Sequence, residues 1–257
     1  MRRIRVIPTL LMSRSRNGLV KGTRFRDHVY IGDPINAVKV FNDKGVDEIA
    51  ILDIDATREK RGPDLRWIEE VCGEAFMPLA YGGGIASVEQ AKEVLRRGAE
   101  KVIVNASALR SLDFVREAAK VLGSQSIVVS IDVKRTLLSG QRVFGACGTT
   151  DARIDPTDFA VQVAAAGAGE ILLTSIDREG TLGGYDIELL RRVTSVVRIP
   201  VIASGGAGTV EHFVAAVRDG GASAVAAGSM FVFMGRRRGV LLNYPSTDEL
   251  QRFFRSA

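Results

Sequence analysis

Cysteine, histidine and tryptophan are scarce in this chain of 257 residues, at two, two and one. Cys72 and Cys147 lie far apart, so neither a disulfide framework nor a cysteine-based metal site is expected. His28 and His212 are too few to build a metal centre between them, and no motif calls for a cofactor. Aromatic residues make up only 6% of the chain, and its 35 lysines and arginines are scattered over helix surfaces and loops. A nucleic-acid binder clusters its basic residues and interleaves them with aromatics, so nucleic acid is not an expected partner. The net charge of +5 reads instead as a solvated basic surface that also attracts phosphorylated molecules. No apolar run reaches membrane-spanning length, and Met1-Arg2-Arg3 is not followed by the apolar stretch of a signal peptide. A cytoplasmic chain with no membrane partner is the expectation.

Glycine is plentiful, at 27, and its placement is informative. The run Pro200-Val201-Ile202-Ala203-Ser204-Gly205-Gly206-Ala207-Gly208 is too short for a helix and ends in small residues. Such a run reads as a buried parallel strand that delivers bare backbone to a ligand. Thr209 then stands as a helix N-cap, and one unit later comes Ala224-Val225-Ala226-Ala227-Gly228-Ser229. Glycine lets backbone approach an anion closely, and a helix start offers free N–H groups. Gly205, Gly206, Gly228 and Ser229 therefore form a candidate phosphate cradle. A second cradle occurs at Gly82, Gly83 and Gly84, completed by Asn105 and Ala106. The pairs Gly82/Gly205, Gly98/Gly221 and Asn105/Gly228 are each separated by 123 positions. Two related cradles imply a ligand with a phosphate at each end.

Eight apolar runs punctuate the chain: 5–11, 48–53, 77–81, 101–105, 126–132, 170–176, 200–204 and 224–228. Amphipathic stretches such as 34–44, 88–97, 158–166 and 187–197 separate most of them. Strict alternation of this kind predicts parallel strands with crossover helices. Eight units in this length predict an α/β fold, a (β/α)8 TIM barrel. With no linker or low-complexity tract, residues 1–257 read as one barrel, duplicated as half-barrels of about 1–122 and 123–257. A doubly wound open sheet would not produce the echo between halves. Two long loops, 12–33 and 137–156, fall on the catalytic side. The first has no helical period, and the second reads as a small hairpin around Gln141–Phe144.

Active sites of such barrels lie at the C-terminal strand ends. The polar residues expected there are Asp53, Asp55, Asn105, Asp132, Thr174 and Asp177, with Lys21 able to swing over them from the first loop. Asp132 emerges from an apolar strand, where desolvation raises a carboxyl pKa and suits it to general acid–base work. The alternative is a turn cap paired with Lys134. At a spacing of 121 the echo aligns Thr9 with Ser130 and Leu11 with Asp132. A partner carboxylate is therefore missing at position 11, and leucine cannot move a proton. Cys147 has no neighbouring histidine, so no thiol nucleophile is expected. Arg5, Glu48, Lys101 and Glu170 begin four strands and converge on the barrel floor. By themselves they suit a stabilising charge plug better than a gate.

Taken together these residues resemble the cyclase subunit of imidazole glycerol phosphate synthase, from Arg5 to about Phe233. Especially similar are Leu52-Asp53-Ile54, Gly82-Gly83-Gly84-Ile85, Gly123-Ser124-Gln125, 167–178 and Ala203-Ser204-Gly205-Gly206-Ala207-Gly208. The resemblance implies a barrel that takes ammonia from a glutaminase subunit docked on its N-terminal face as a heterodimer. It implies a twice-phosphorylated aminoimidazole carboxamide ribulose nucleotide as substrate and imidazole glycerol phosphate as product, in histidine biosynthesis. Asp132 matches one of the family's two catalytic aspartates, and Lys21, Asp53, Asn105, Thr174 and Asp177 match substrate-binding positions. Arg5, Glu48, Lys101 and Glu170 match its charged ammonia gate, which reverses the preference for a plug. Gln125 fits the partner-facing side. Leu11 replaces the second catalytic aspartate, and Ala80-Tyr81 replaces a usual Thr-Val. The tail 234–257 carries Arg236-Arg237-Arg238, and its stretch Gly239-Val240-Leu241-Leu242-Asn243-Tyr244-Pro245-Ser246 departs from the usual ending and resembles paralogues found with surface-polysaccharide (O-antigen) genes. That implies an alternative: ammonia supplied to a sugar amidotransferase. A stand-alone phosphosugar isomerase and a non-catalytic glutaminase partner are further alternatives.

Overall fold

A sheet built from short, β-branched runs has two exposed edges unless it closes on itself. In the computed structural model, which describes residues 4–136, 139–235 and 238–255, the sheet closes. Arg236 and Arg237 of the basic run, Leu137, and the two chain ends lie outside the described residues.

The strands are β1 (Arg5–Ser13), β2 (Gly18–Thr23), β3 (Arg26–Gly32), β4 (Ile49–Asp53), β5 (Leu79–Gly82), β6 (Lys101–Val104) and β7 (Ile127–Thr136). They continue as β8 (Gly140–Gly145), β9 (Thr150–Asp151), β10 (Glu170–Ser175), β11 (Val201–Ser204) and β12 (Ala224–Ala227), with a small hairpin β13 (Phe233–Met234) and β14 (Gly239–Val240). Eight of them run parallel in the circuit β1-β4-β5-β6-β7-β10-β11-β12. Pairing of Arg5, Val6, Ile7 and Pro8 with Ala224, Val225, Ala226 and Ala227 returns β12 to β1 and closes the barrel.

The helices are α1 (Pro34–Asp43), α2 (Leu65–Glu74), α3 (Val88–Arg96), α4 (Ala106–Arg110), α5 (Leu112–Leu122), α6 (Pro156–Ala165), α7 (Ile187–Thr194), α8 (Val210–Arg218), α9 (Ser229–Val232) and α10 (Thr247–Arg255). Most starts are fixed by side-chain caps: Asp33, Asp64, Ser87, Ser111, Asp155 and Asp186 each accept a backbone N–H of the first turn. Thr209 does occupy the N-cap position of α8, but its hydroxyl makes no capping bond. Among the described residues no helix is long and apolar enough to cross a membrane.

Strand alternation sorts the apolar residues into two shells. One set points outward and packs under the helices, with Phe41, Phe159, Phe213 and Phe231 among its largest members. Trp67 packs on this shell from α2. The other set fills the bore: Ile7, Ala50, Ala80, Ile103, Val128 and Leu172, among others.

Loop 12–33, which has no helical period, is built of strands. It folds as the antiparallel hairpin β2–β3, with Leu11 opposite Val20 where β1 runs past the barrel rim. Its left-handed Arg24, Phe25 and Asp27 at the turn hide the two-residue period in the sequence. The corresponding extension of β7 pairs with β8, Asp132 opposite Phe144, as the hairpin expected around Gln141.

Phe213 is fully buried between Tyr185 and Phe231, with ring centroids 6.4 and 6.1 Å away, whereas Phe76 is 89% exposed. Phe213→Ala is expected to cost about 3–5 kcal/mol in denaturant unfolding, and Phe76→Ser less than about 0.5 kcal/mol.

Candidate active site

At the C-terminal ends of the strands lies a cavity of about 200 Å³, framed by loops from both halves of the chain. In an eight-stranded circuit, β5/β6 face β11/β12 and β1/β4 face β7/β10. The cavity thus has four walls.

Glycine turns make two of them, facing one another. Gly82, Gly83 and Gly84 follow β5, with Asn105 and Ala106 beside them at the end of β6. Across the cavity, Gly205 and Gly206 follow β11, and Gly228 and Ser229 follow β12. Gly83 and Gly205 have φ of +134° and +87°, a region that favours glycine. A Cβ on Gly205 would sit 2.6 Å from the Ser175 carbonyl, and one on Gly83 2.7 Å from that of Asp53. Chain packing alone therefore demands these glycines. The ligand signal is Ser229, whose buried hydroxyl has no partner among the described residues.

The β7/β10 wall carries the acid. Asp132 is buried and accepts a hydrogen bond from Ser130 Oγ at 2.9 Å. Burial lifts its pKa to about 6, against the opposing pull of hydroxyl bonds from Ser130 and Thr174. Asp132 and Thr174 are register partners on adjacent strands. Across the cavity, the β1/β4 wall presents Leu11 and Leu52, also register partners. Asp132 faces leucine.

Other residues singled out from the sequence reach the cavity on different terms. Lys21, carried by the hairpin, lines it with its ammonium 2.5 Å from Glu179 Oε1, and both groups are buried. That ammonium also crowds Gly228, where an added Cβ would lie 2.6 Å from Lys21 Nζ. Asp53 lines the cavity, but its Oδ1 accepts the N–H groups of Asp55 and Ala56, both at 3.0 Å, and its Oδ2 lies 3.6 Å from Arg61. Burial still raises the Asp53 pKa. Asp55 is a structural clamp, with Oδ2 accepting from Ser13 Oγ at 2.7 Å and Ser15 Oγ at 2.9 Å. Asn105 donates to the Ser130 and Phe144 carbonyls at 3.1 and 3.3 Å.

Asp177 is a correction. It lies outside this cavity, in a surface groove with Arg24, Arg135 and Arg178, where its carboxylate accepts the Arg135 N–H at 2.7 Å. The strand ends at Ser175 and the chain turns away before returning at Glu179. Glu179 is the residue the sequence reading passed over. The repeat held the clue, because the spacing of 122 that pairs Asp55 with Asp177 pairs Thr57 with Glu179. Both Thr57 and Glu179 line the cavity. His28, Arg58 and Cys147 line it too. His28 has its pKa lowered, chiefly by burial. Burial pushes the Cys147 thiol up to about 11, and its Sγ donates to the Ile54 carbonyl at 3.1 Å, so it stays a thiol near neutral pH. Among the described residues no group of three potential metal ligands comes together.

The opposite end of the bore is closed by charge. Arg5 reaches Glu48 and Glu170, each at 2.5 Å. Lys101 reaches Glu48 at 3.0 Å and Glu170 at 3.1 Å. Two cations and two anions alternate around the axis, each side chain bonded to both neighbours. Directly above, a void of about 10 Å³ is lined by Glu48 and by Ile7, Ala50, Ala80, Ile103 and Val128, among others. It is about the size that holds one water-sized molecule.

Comparison with known proteins agrees with this architecture. The Histidine biosynthesis protein family profile matches residues 5–236. A Pseudomonas aeruginosa protein named "Putative imidazole glycerol phosphate synthase subunit hisF2" is 46% identical over 248 residues, 96% of this chain and 98% of that protein. The similarly named HisF of Leptospira interrogans is 44% identical over 97% of this chain and 98% of its own length. The hisF3 of Vibrio vulnificus, also named as such a subunit, is 42% identical over 98% and 96%. Coverage this complete places the chain in the histidine biosynthesis protein family, among relatives named as putative imidazole glycerol phosphate synthase HisF subunits.

Proposed function

We propose that this chain is the cyclase-type barrel of an ammonia-using synthase, with its own cyclase chemistry impaired at position 11. A glutaminase subunit docks on the N-terminal face, and ammonia enters through the ring of Arg5, Glu48, Lys101 and Glu170. Phe76, Val121 and Val196, all exposed, sit in or beside helix-to-strand connections, which lie on that face. Gln125 is on the same side. The apolar bore admits neutral ammonia and disfavours ammonium, since moving an unpaired charge into such surroundings is costly.

Beyond the bore, the two glycine walls hold the phosphates of a twice-phosphorylated aminoimidazole carboxamide ribulose nucleotide. Lys21 adds a cation beside Gly228, and Asn105 and Thr174 orient the centre of the ligand. Asp132, with a pKa near 6, is mostly a carboxylate at neutral pH and accepts a proton from the attacking nitrogen. Ring closure to imidazole glycerol phosphate needs a second group to return a proton on the opposite side, and Leu11 stands there. The observation that carries this reading is the axis itself: a closed charge ring, an apolar bore above it, and a cavity where Asp132 faces leucine.

Leu11 also favours a second reading, in which the barrel conducts ammonia onward to a sugar amidotransferase of surface-polysaccharide synthesis. Under both readings the ring and bore keep their role, while the final acceptor differs.

With the bis-phosphorylated nucleotide and ammonium supplied directly, Leu11→Asp is expected to raise cyclase turnover by about 10²-fold or more over wild type. No gain in product by chromatography would remove the cyclase reading and leave the conducting one. Asp132 also gives a stability signature. Its folded-state pKa is raised, so the native state binds the extra proton, and stability falls as pH climbs from about 4 through 6. Asp132→Asn is therefore expected to gain about 2–3 kcal/mol in urea unfolding at pH 8, to gain almost nothing at pH 3, and to lose any cyclase turnover.

A further inference from the structure

The two halves of the barrel treat the middle of the cavity differently. At the repeat spacings of 121 and 122, Thr9 corresponds to Ser130, Leu11 to Asp132 and Leu52 to Thr174. In the second half these three positions form a hydrogen-bonded polar wall around Asp132. In the first half, Leu11 and Leu52 stand side by side, and the Thr9 hydroxyl is buried without a partner among the described residues. The acceptor that its counterpart Ser130 uses has no equivalent, because position 11 is leucine. Leu52 also presses on the glycine turn after β5: a Cβ on Gly82 would lie 2.8 Å from Leu52 Cδ2. Asp53 offers no relief on this side, since its carboxylate is taken up by Asp55, Ala56 and Arg61. Lys21 is likewise engaged by Glu179.

We infer that Leu11 and Leu52 form a specificity wall, selecting ligands that carry a phosphate at each end but no hydroxyl on the side facing β1 and β4. The inference rests on the phosphate-cradle reading. A hydroxyl pressed against two leucines gives up its hydrogen bonds to water and gains none, whereas a methylene keeps apolar contact. A chain that carries hydroxyls is admitted only with them turned to the opposite wall, where Ser130, Asp132 and Thr174 offer partners. The leucine wall therefore assigns the cavity a substrate class, anionic at both ends and apolar on one side of the middle.

Titration calorimetry with inorganic phosphate, hexane-1,6-diol bisphosphate and mannitol 1,6-bisphosphate tests this. Wild type is expected to bind the hexanediol compound about tenfold tighter than the mannitol compound. Leu11→Asn, and separately Leu52→Thr, are expected to shrink that ratio to about twofold or reverse it. Phosphate affinity should stay unchanged in both variants. The second variant uses the residue already tolerated at the equivalent position, so the test does not hang on one fold-sensitive substitution. Equal binding of the two bisphosphates by wild type, or an unchanged ratio in both variants, would overturn the wall while the cradles stand. Failure of phosphate and of both bisphosphates to bind would remove the cradle reading, and the wall with it.

Discussion

Closure of the sheet through β1 and β12 is the constraint on which the rest of the molecule depends. Once eight parallel strands form a circuit, every second residue of each strand is committed to the bore and its neighbours to the helices. Arg5, Ile7, Thr9 and Leu11 thus follow one another up a single inward row from floor to cavity. The same row on β7 and β10 delivers Ser130 and Asp132, and Glu170, Leu172 and Thr174. Charge at the bottom, aliphatic side chains in the middle and polar groups at the top are one periodicity read at different heights.

Burying charge at the floor requires mutual satisfaction. Glu48 and Lys101 are nearly inaccessible, and either alone would be costly to desolvate. In the ring each carboxylate meets both cations and each cation meets both carboxylates. Such a ring closes the end of the bore, and a gate is the use proposed for that closure. What favours a gate is the void above it, small, apolar and on the axis.

Much of the fold was legible in the sequence because parallel strands buried on both faces leave short apolar runs, three of them closed by Gly82, Gly205 and Gly228. All eight barrel strands fall within a few residues of those runs. The hairpin 18–32 was not legible, because residues with positive φ at its turn and a string of basic side chains break the alternation. Within the site, Asp132, Leu11 and the glycine turns could be placed from strand ends alone. Asp177 could not, since beyond Ser175 the period of the strand no longer says which way a side chain points. Glu179 then takes the place in the cavity that Asp177 was expected to hold. Its pairing with Lys21 joins residues 158 positions apart, which no local pattern reveals.

The central claim is that the charged ring passes ammonia into the bore. It is tested most directly by Lys101→Met in the Leu11→Asp background, comparing turnover driven by glutamine through the glutaminase with turnover driven by added ammonium. The account predicts that glutamine-driven turnover changes by about tenfold while ammonium-driven turnover stays within about twofold, because only the first route crosses the ring. Equal change in both, or no change in either, would contradict it and leave the ring as a plug.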